Sequence, residues 1–233
     1  MAVRIIGGLF RGLNLSQPRA RDVRPTSAMV REAIFSILGR DVLVGAKVLD
    51  MYAGSGAMGL EALSRGASDV LLTDCSRPVL NVVRDNVARL PQNYREMAGD
   101  ARCRYPKDFP KLKARGPFTL FFLDPPYKND IADVLAFLSY AARDKLALPG
   151  ASLVWEQAPE SLGKWDDSAA APWEVWLRRK WGDRAAALLR LPDASGQDDF
   201  EGDAGGHSDA GSGSGSEDGS RDGSEDDSGK CSE

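Results

Sequence analysis

Apolar residues fall into short blocks along most of this chain, and the spacing within each block switches between period two and the helical period. Val48–Tyr52 reads as a strand, Ala57–Ser64 as a helix ending near Gly66, and Asp69–Thr73 as a second strand. Pro78 sits where a first helical turn tolerates proline, opening a helix that reaches about Leu90. Tyr94–Ala98 is a weaker strand candidate, Phe118–Leu123 a strong one, Ile131–Ala142 a helix and Ser152–Glu156 a further strand. Strands separated by helices imply βαβ units and an α/β fold with a mainly parallel sheet. Glu174–Lys180 and Ala185–Leu191 flank Gly182-Asp183 as a terminal hairpin, and no internal repeat is visible.

The two ends of the chain break this pattern. Val3–Ile6 and Leu13–Leu15 are β-like runs around Gly7-Gly8 and Gly12, predicting a small basic hairpin. Thr26 or Ser27 can cap a following helix whose apolar stripe is Met29, Val30, Ala33, Ile34, Ile37 and Leu38. Gly39 is its expected end, and Arg31 and Glu32 are expected opposite much of the stripe. After Pro192 the chain turns to Gly, Ser, Asp and Glu with Phe200 as its one aromatic residue. Such a segment buries too little apolar area to offset its ordering entropy, so disorder is expected. The expected organisation is a basic hairpin and helix over 1–40, a main domain over 41–192 and an acidic tail over 193–233.

Charge sharpens that division. The 233 residues carry 30 basic and 34 acidic side chains, a net of −4. From Asp193 onward there are 13 acidic and 2 basic residues, which leaves 21 acidic and 28 basic in the body, a net of +7. A basic body suits an anionic partner. The three cysteines, Cys75, Cys103 and Cys231, have no CxxC spacing, so free thiols are expected, with neither a disulfide framework nor a zinc site. The N-terminus lacks an apolar signal region and no stretch approaches a membrane span, so a soluble cytoplasmic protein is expected. The only histidine, His207, lies in the tail, which argues against Ser-His-Asp or Cys-His catalysis and His-ligated metals.

The chemistry concentrates in two places. Asp124-Pro125-Pro126-Tyr127 follows the strand Phe118–Leu123 and stops its ladder. A carboxylate, the Pro125 carbonyl and an aromatic ring are thereby displayed at a carboxyl strand edge, where open α/β sheets bind ligands. These groups suit a planar base bearing an exocyclic amino group. The second place is Asp50 with the turn Ala53-Gly54-Ser55-Gly56 and Gly59, a GxGxxG pattern between a strand and a helix that points to a nucleotide. Asp50 beside a pyrophosphate would be repulsive, whereas beside the amine-bearing, cationic methionine part of S-adenosylmethionine it is favourable. Asp74 is placed to accept from ribose hydroxyls, and Asp100 to meet the adenine amino group. Arg4, Arg11, Arg19, Arg21 and Arg24 are candidate phosphate contacts.

Asp50–Gly56, Asp74 and Asp124–Tyr127 resemble the motifs of class I S-adenosylmethionine-dependent methyltransferases that modify exocyclic amines. Arg4-Ile-Ile-Gly-Gly8, Arg11-Gly12, Arg24-Pro-Thr26, Val30-Arg-Glu-Ala33, Gly59-Leu-Glu-Ala-Leu-Ser-Arg-Gly66 and Trp181-Gly-Asp183 resemble, more narrowly, the RsmD family of bacterial 16S rRNA guanine-N2 methyltransferases. The resemblance runs over about residues 3–191. It implies a Rossmann-like class I methyltransferase fold, with a seven-stranded, mostly parallel sheet ending in an antiparallel hairpin and a small N-terminal extension. It further implies catalysis by Asp124, Pro125 and Tyr127 on one guanine of 16S rRNA in an assembled or assembling small subunit, with S-adenosylmethionine as donor, S-adenosylhomocysteine as product and no metal. A monomer away from membranes is expected. Leu13, Tyr52 and Asp74 stand where the family usually has a basic residue, Phe and Glu. Alternatives at this stage are a DNA or RNA adenine-N6 or other amine methyltransferase, an NAD-binding oxidoreductase and a non-catalytic RNA-binding module.

Overall fold

The computed structural model describes residues 3–18, 27–126 and 131–193. Strands β1 (Val3–Arg4) and β2 (Asn14–Leu15) form an antiparallel pair before helix α1 (Ala28–Leu43). The body then runs β3 (Lys47–Met51), α2 (Ala57–Ser64), β4 (Asp69–Asp74), α3 (Arg77–Val87), a short α4 (Gln92–Arg95) and β5 (Ala98–Arg102). It continues through a short α5 (Phe109–Leu112), β6 (Phe118–Leu123), α6 (Ile131–Arg143), β7 (Ala147–Gln157), a 3-10 turn at Asp167–Ala170, β8 (Glu174–Trp181) and β9 (Arg184–Arg190).

Seven strands make one sheet in the order β5-β4-β3-β6-β7-β9-β8. Pairing is parallel from β5 to β7, and β9 runs antiparallel to both β7 and β8. The chain moves outward from β3 through β4 to β5, then crosses back to place β6 on the other side of β3. That reversal opens a crevice at the carboxyl ends of β3 and β6. Two apolar layers cover the sheet. Val48, Val70, Phe122 and Leu188 face the layer containing Ile34 and Phe35 of α1 and Leu60 of α2, whereas Leu49, Phe121 and Leu189 face the layer containing Phe137 and Leu138 of α6. The Rossmann-like architecture implied by the resemblance is the one observed.

Five local expectations change. The stretch Tyr94–Ala98 is no strand, because Pro91 opens the turn of α4; Tyr94 packs edge-on against Phe10 at 4.8 Å, and β5 starts at Ala98. In the first helix, Ser27 is the cap, accepting from the Val30 N–H, but Met29 in the first turn lies outside the packed stripe and is exposed. Gly39 kinks this helix at φ 72 and does not end it. Arg31, expected on the outer face, is buried: its guanidinium donates to the Arg4 carbonyl at 2.7 Å, in the field of Glu61 and Glu156. Strand β7 also begins earlier than Ser152, since Ala147 pairs with Phe118 before a bulge and regular pairing resumes at Leu120 and Ser152.

The N-terminal segment is held by the carboxyl half of α2. Buried Glu61 accepts from the Ile6 and Gly7 N–H groups at 2.7 and 2.8 Å and from Arg65 Nε at 2.8 Å. Ser64 Oγ donates to the Gly7 carbonyl and accepts from the Phe10 N–H, while the Ser64 carbonyl accepts from Leu9. Arg65 also reaches Glu32 of α1 at 2.9 Å and lies over the Phe35 ring. These bonds explain why Gly7-Gly8 and Glu61, Ser64 and Arg65 belong together: each motif is half of one joint. Gly8 has φ +74, and a Cβ there would stand 1.9 Å from the Ser64 carbonyl oxygen. Gly8→Ala is therefore expected to lower stability by about 2 kcal/mol or more, read by urea denaturation, with faster proteolysis at the N-terminus.

Candidate active site

Strand β3 carries a buried carboxylate one residue before its end. Asp50 is 3% exposed, and its Oδ2 accepts from the Gly59 N–H in the first turn of α2 at 2.8 Å. Burial pushes its pKa up to about 7, with the Gly59 bond opposing and the nearby Asp74 charge adding to the rise. Gly59 leaves no room for a larger residue, since a Cβ would meet Leu72 at 2.5 Å and Val70 at 2.7 Å. The turn between β3 and α2 is thereby drawn against the sheet.

Within that turn Ala53 donates its N–H to the Thr73 carbonyl at 2.9 Å, joining β3's end to β4's. Gly54 and Gly56 have φ of +54 and +78. A Cβ on Gly54 would find only the Tyr52 carbonyl, at 3.9 Å, so the ground above it is open. Asp74, at the end of β4, accepts from Gly54 N–H at 3.3 Å through one oxygen and from Ser76 N–H at 2.9 Å through the other. Burial raises its pKa against those bonds. Five of the sequence-derived residues, Asp50, Ala53, Gly54, Gly56 and Asp74, thus form one bonded rim.

Ser55 joins through a residue that pattern reading missed. The fully buried Asn86 amide donates to the carbonyls of Ser55 and Ser16 at 2.9 and 3.0 Å, and its oxygen accepts from Ser16 N–H at 2.7 Å. Its signal was available: Asn86 continues the buried face of α3 marked by Val79 and Val83, so it is a polar residue on an apolar stripe. Tyr105 was also missed. Its hydroxyl bonds the Thr73 hydroxyl at 2.6 Å and accepts from Tyr52 N–H at 3.4 Å, and the two tyrosine rings lie 4.4 Å apart.

Asp100 stands in mid-strand, level with Leu72 of β4, and takes a bidentate contact from Arg84 with a shortest distance of 2.7 Å. Across the crevice, Leu123 pairs with Met51, so Asp124 and Pro125 follow immediately at the same edge as the glycine turn. Asp124 is partly exposed and lies 3.9 Å from the Arg184 guanidinium. Arg4 and Arg11 are exposed on the extension. Tyr127, Arg19, Arg21 and Arg24 lie outside the described residues, as does the segment after Asp193. Among the described residues no cluster of His, Cys, Asp and Glu that would hold a metal occurs, and no helix is long and apolar enough to cross a membrane.

The glycine turn thus lies on one side of a switch point and Asp-Pro-Pro on the other, at the same carboxyl edge of the sheet. The family model "Conserved hypothetical protein 95" matches residues 3–189. Over 200 residues the chain is 33% identical to ribosomal RNA small subunit methyltransferase D of Escherichia coli strain K12, covering 85% of this chain and 94% of that protein. The chain belongs to the RsmD family. A putative rRNA methyltransferase of Bacillus subtilis, YlbH, is 34% identical over 132 residues, covering 54% of this chain and 68% of that one. A solved structure of the putative methyltransferase yhhF from Escherichia coli superposes with a TM-score of 0.66 at 29% identity, covering 83% of this chain and 99% of that one. The matched RsmD span includes both the glycine turn and the docked extension.

Asp50 gives this site a pH signature. Its folded pKa of about 7 exceeds the ordinary 3.8, so the folded state holds a proton that the unfolded chain has released. This group's contribution favours folding most at low pH and declines as pH rises from about 4 to about 7. Urea titrations across that window should show the decline, and Asp50→Asn should flatten it.

Proposed function

We propose that this protein transfers a methyl group from S-adenosylmethionine to the exocyclic N2 of one guanine in 16S rRNA, acting on the small ribosomal subunit in the cytoplasm as a monomer. The observation that carries the reading is the pairing, across one switch point, of a glycine turn backed by Asp50 and Asp74 with the acceptor pair of Asp124 and Pro125. The names borne by the E. coli and B. subtilis relatives supply rRNA as the substrate class.

The donor set fits the cofactor. Open space above Gly54 admits a ligand close to the backbone, and Asp74 stands beside it for ribose hydroxyls. The carboxylate of Asp50 is mismatched to a pyrophosphate and matched to a cationic methionine moiety, which favours this donor over NAD. Asp100 is assigned to the adenine amino group, its carboxylate already oriented by Arg84. When bound, S-adenosylmethionine supplies an electrophilic methyl group on a sulfonium.

Guanine N2 is a weak nucleophile because its lone pair is delocalised into the ring. The Asp124 carboxylate and the Pro125 carbonyl accept its two N–H groups, orienting the amine and favouring a pyramidal nitrogen. Positive charge grows on N2 during attack, and Asp124 stabilises it and stands ready to take the released proton. Tyr127 is assigned to stacking on the base once it is splayed out of the RNA. Arg4, Arg11, Arg19, Arg21 and Arg24 are assigned to the phosphate backbone.

The test is radiolabelled methyl transfer to small subunits from a strain lacking this gene's function, followed by nucleoside analysis. N2-methylguanosine is the expected product, and N6-methyladenosine would refute the assignment. Asp124→Ala should reduce turnover by roughly 100-fold or more while leaving the thermal shift with S-adenosylmethionine intact. A shift with NAD and none with S-adenosylmethionine would overturn the cofactor.

A further inference from the structure

The carboxyl edge of the sheet holds a second charged pair, on strands that carry no expected site residue. Because β9 runs antiparallel, its first residue and not its last reaches the edge where β6 and β7 end. Gln157 pairs with Ala185, so Arg184 stands one position beyond β7's last residue, just after the Gly182-Asp183 turn. Strand alternation sets its face. Ala186 and Leu188 belong to the layer beneath α1, as do Val154 and Phe122, which puts Arg184, Glu156 and Asp124 on that one side.

There Arg184 makes a buried ion pair with Glu156, and the same guanidinium nitrogen lies 3.9 Å from Asp124 Oδ1. The side chains of Arg184 and Glu156 are 7% and 4% exposed, whereas that of Asp124, just past the end of β6, is 32% exposed. From α1, buried Arg31 adds its field to Glu156. Charges thus alternate from Arg31 through Glu156 and Arg184 to Asp124.

A buried ion pair is a poor device for stability, since desolvation cancels much of its attraction and apolar replacements often serve as well. Its position supplies a better reason. Two carboxylates on neighbouring strands, Glu156 and Asp124, share one guanidinium, so the buried pair with Glu156 fixes the charge toward which Asp124 turns. A rotated Asp124 would offer an amine a misdirected acceptor. We propose that Arg184, anchored by Glu156, is the positioning residue that keeps the Asp124 carboxylate aimed into the crevice. This rests on the reading of Asp124 as the amine acceptor. Arg184 itself touches no substrate in this scheme, so its loss acts on turnover and not on donor binding.

The test uses the full chain with small subunits lacking the modification. Arg184→Gln should lower kcat roughly 10- to 100-fold, with KM for S-adenosylmethionine within about threefold of the parent. Arg184→Lys, which keeps the charge, should recover most of that loss. The double variant Arg184→Gln/Glu156→Gln separates structure from positioning, because it replaces both buried charges by a neutral amide pair. If Arg184 serves only to neutralise Glu156, the double variant regains full turnover; if it serves Asp124, the double variant folds and binds donor yet stays at least about tenfold slow. Should Arg184→Gln fail to fold, the double variant carries the comparison. Parental kcat in either variant overturns the inference. Asp124→Ala run alongside distinguishes the two levels: full activity there removes the acceptor reading itself, whereas an inactive Asp124→Ala with a fully active double variant removes only Arg184's role.

Discussion

The hydrogen bond from the Gly59 N–H to Asp50 holds the centre of this molecule together. It crosses from the last buried stretch of β3 to the first turn of α2, and it requires the helix to lie so near the sheet that only glycine fits at position 59. Two things follow from that approach. The turn between strand and helix is pressed into left-handed conformations at Gly54 and Gly56, leaving open ground above Gly54. The far end of the same short helix is set at the height where Glu61, Ser64 and Arg65 receive the N-terminal segment. One eight-residue helix therefore braces the glycine turn at one end and the N-terminal segment at the other.

A cost accompanies this arrangement. Asp50 is buried with a raised pKa, so the apo site carries a carboxylate in an environment that disfavours its charge. Such tension is common where a ligand's charge is meant to complete the environment. The cationic end of the proposed donor would supply that charge. Asp74 shows a milder form of the same tension, softened by backbone N–H groups from Gly54, Ser76 and Cys75.

Much of this was legible in the chain. The alternation of strand and helix periods located the parallel sheet, and Gly54, Gly56, Asp74 and Asp124 could be placed because each lies at or shortly after the carboxyl end of a strand. What escaped was set by contacts between distant segments. Arg31 reads as an outer-face residue by helical spacing, and only the arrival of the N-terminal backbone encloses it. Tyr94 has strand-like neighbours, but Pro91 and the Phe10 ring decide its fate. Glu61 and Arg184 look like ordinary surface charges until sheet order and strand parity bring Gly7 and Asp124 beside them. Local pattern reports the element; charge partners come from topology.

The joint at Asn86 bears on how the protein is made. One buried amide holds both Ser16 and Ser55, and Glu61 and Ser64 hold Ile6 to Phe10, so the N-terminal segment is secured by residues 54 to 70 positions downstream. During synthesis residues 6–16 emerge before the residues of α2 and α3 that hold them. They must wait until α2 and most of α3 have emerged and settled on the sheet. The segment that precedes the sheet in sequence is thus docked only after the elements that follow it have folded.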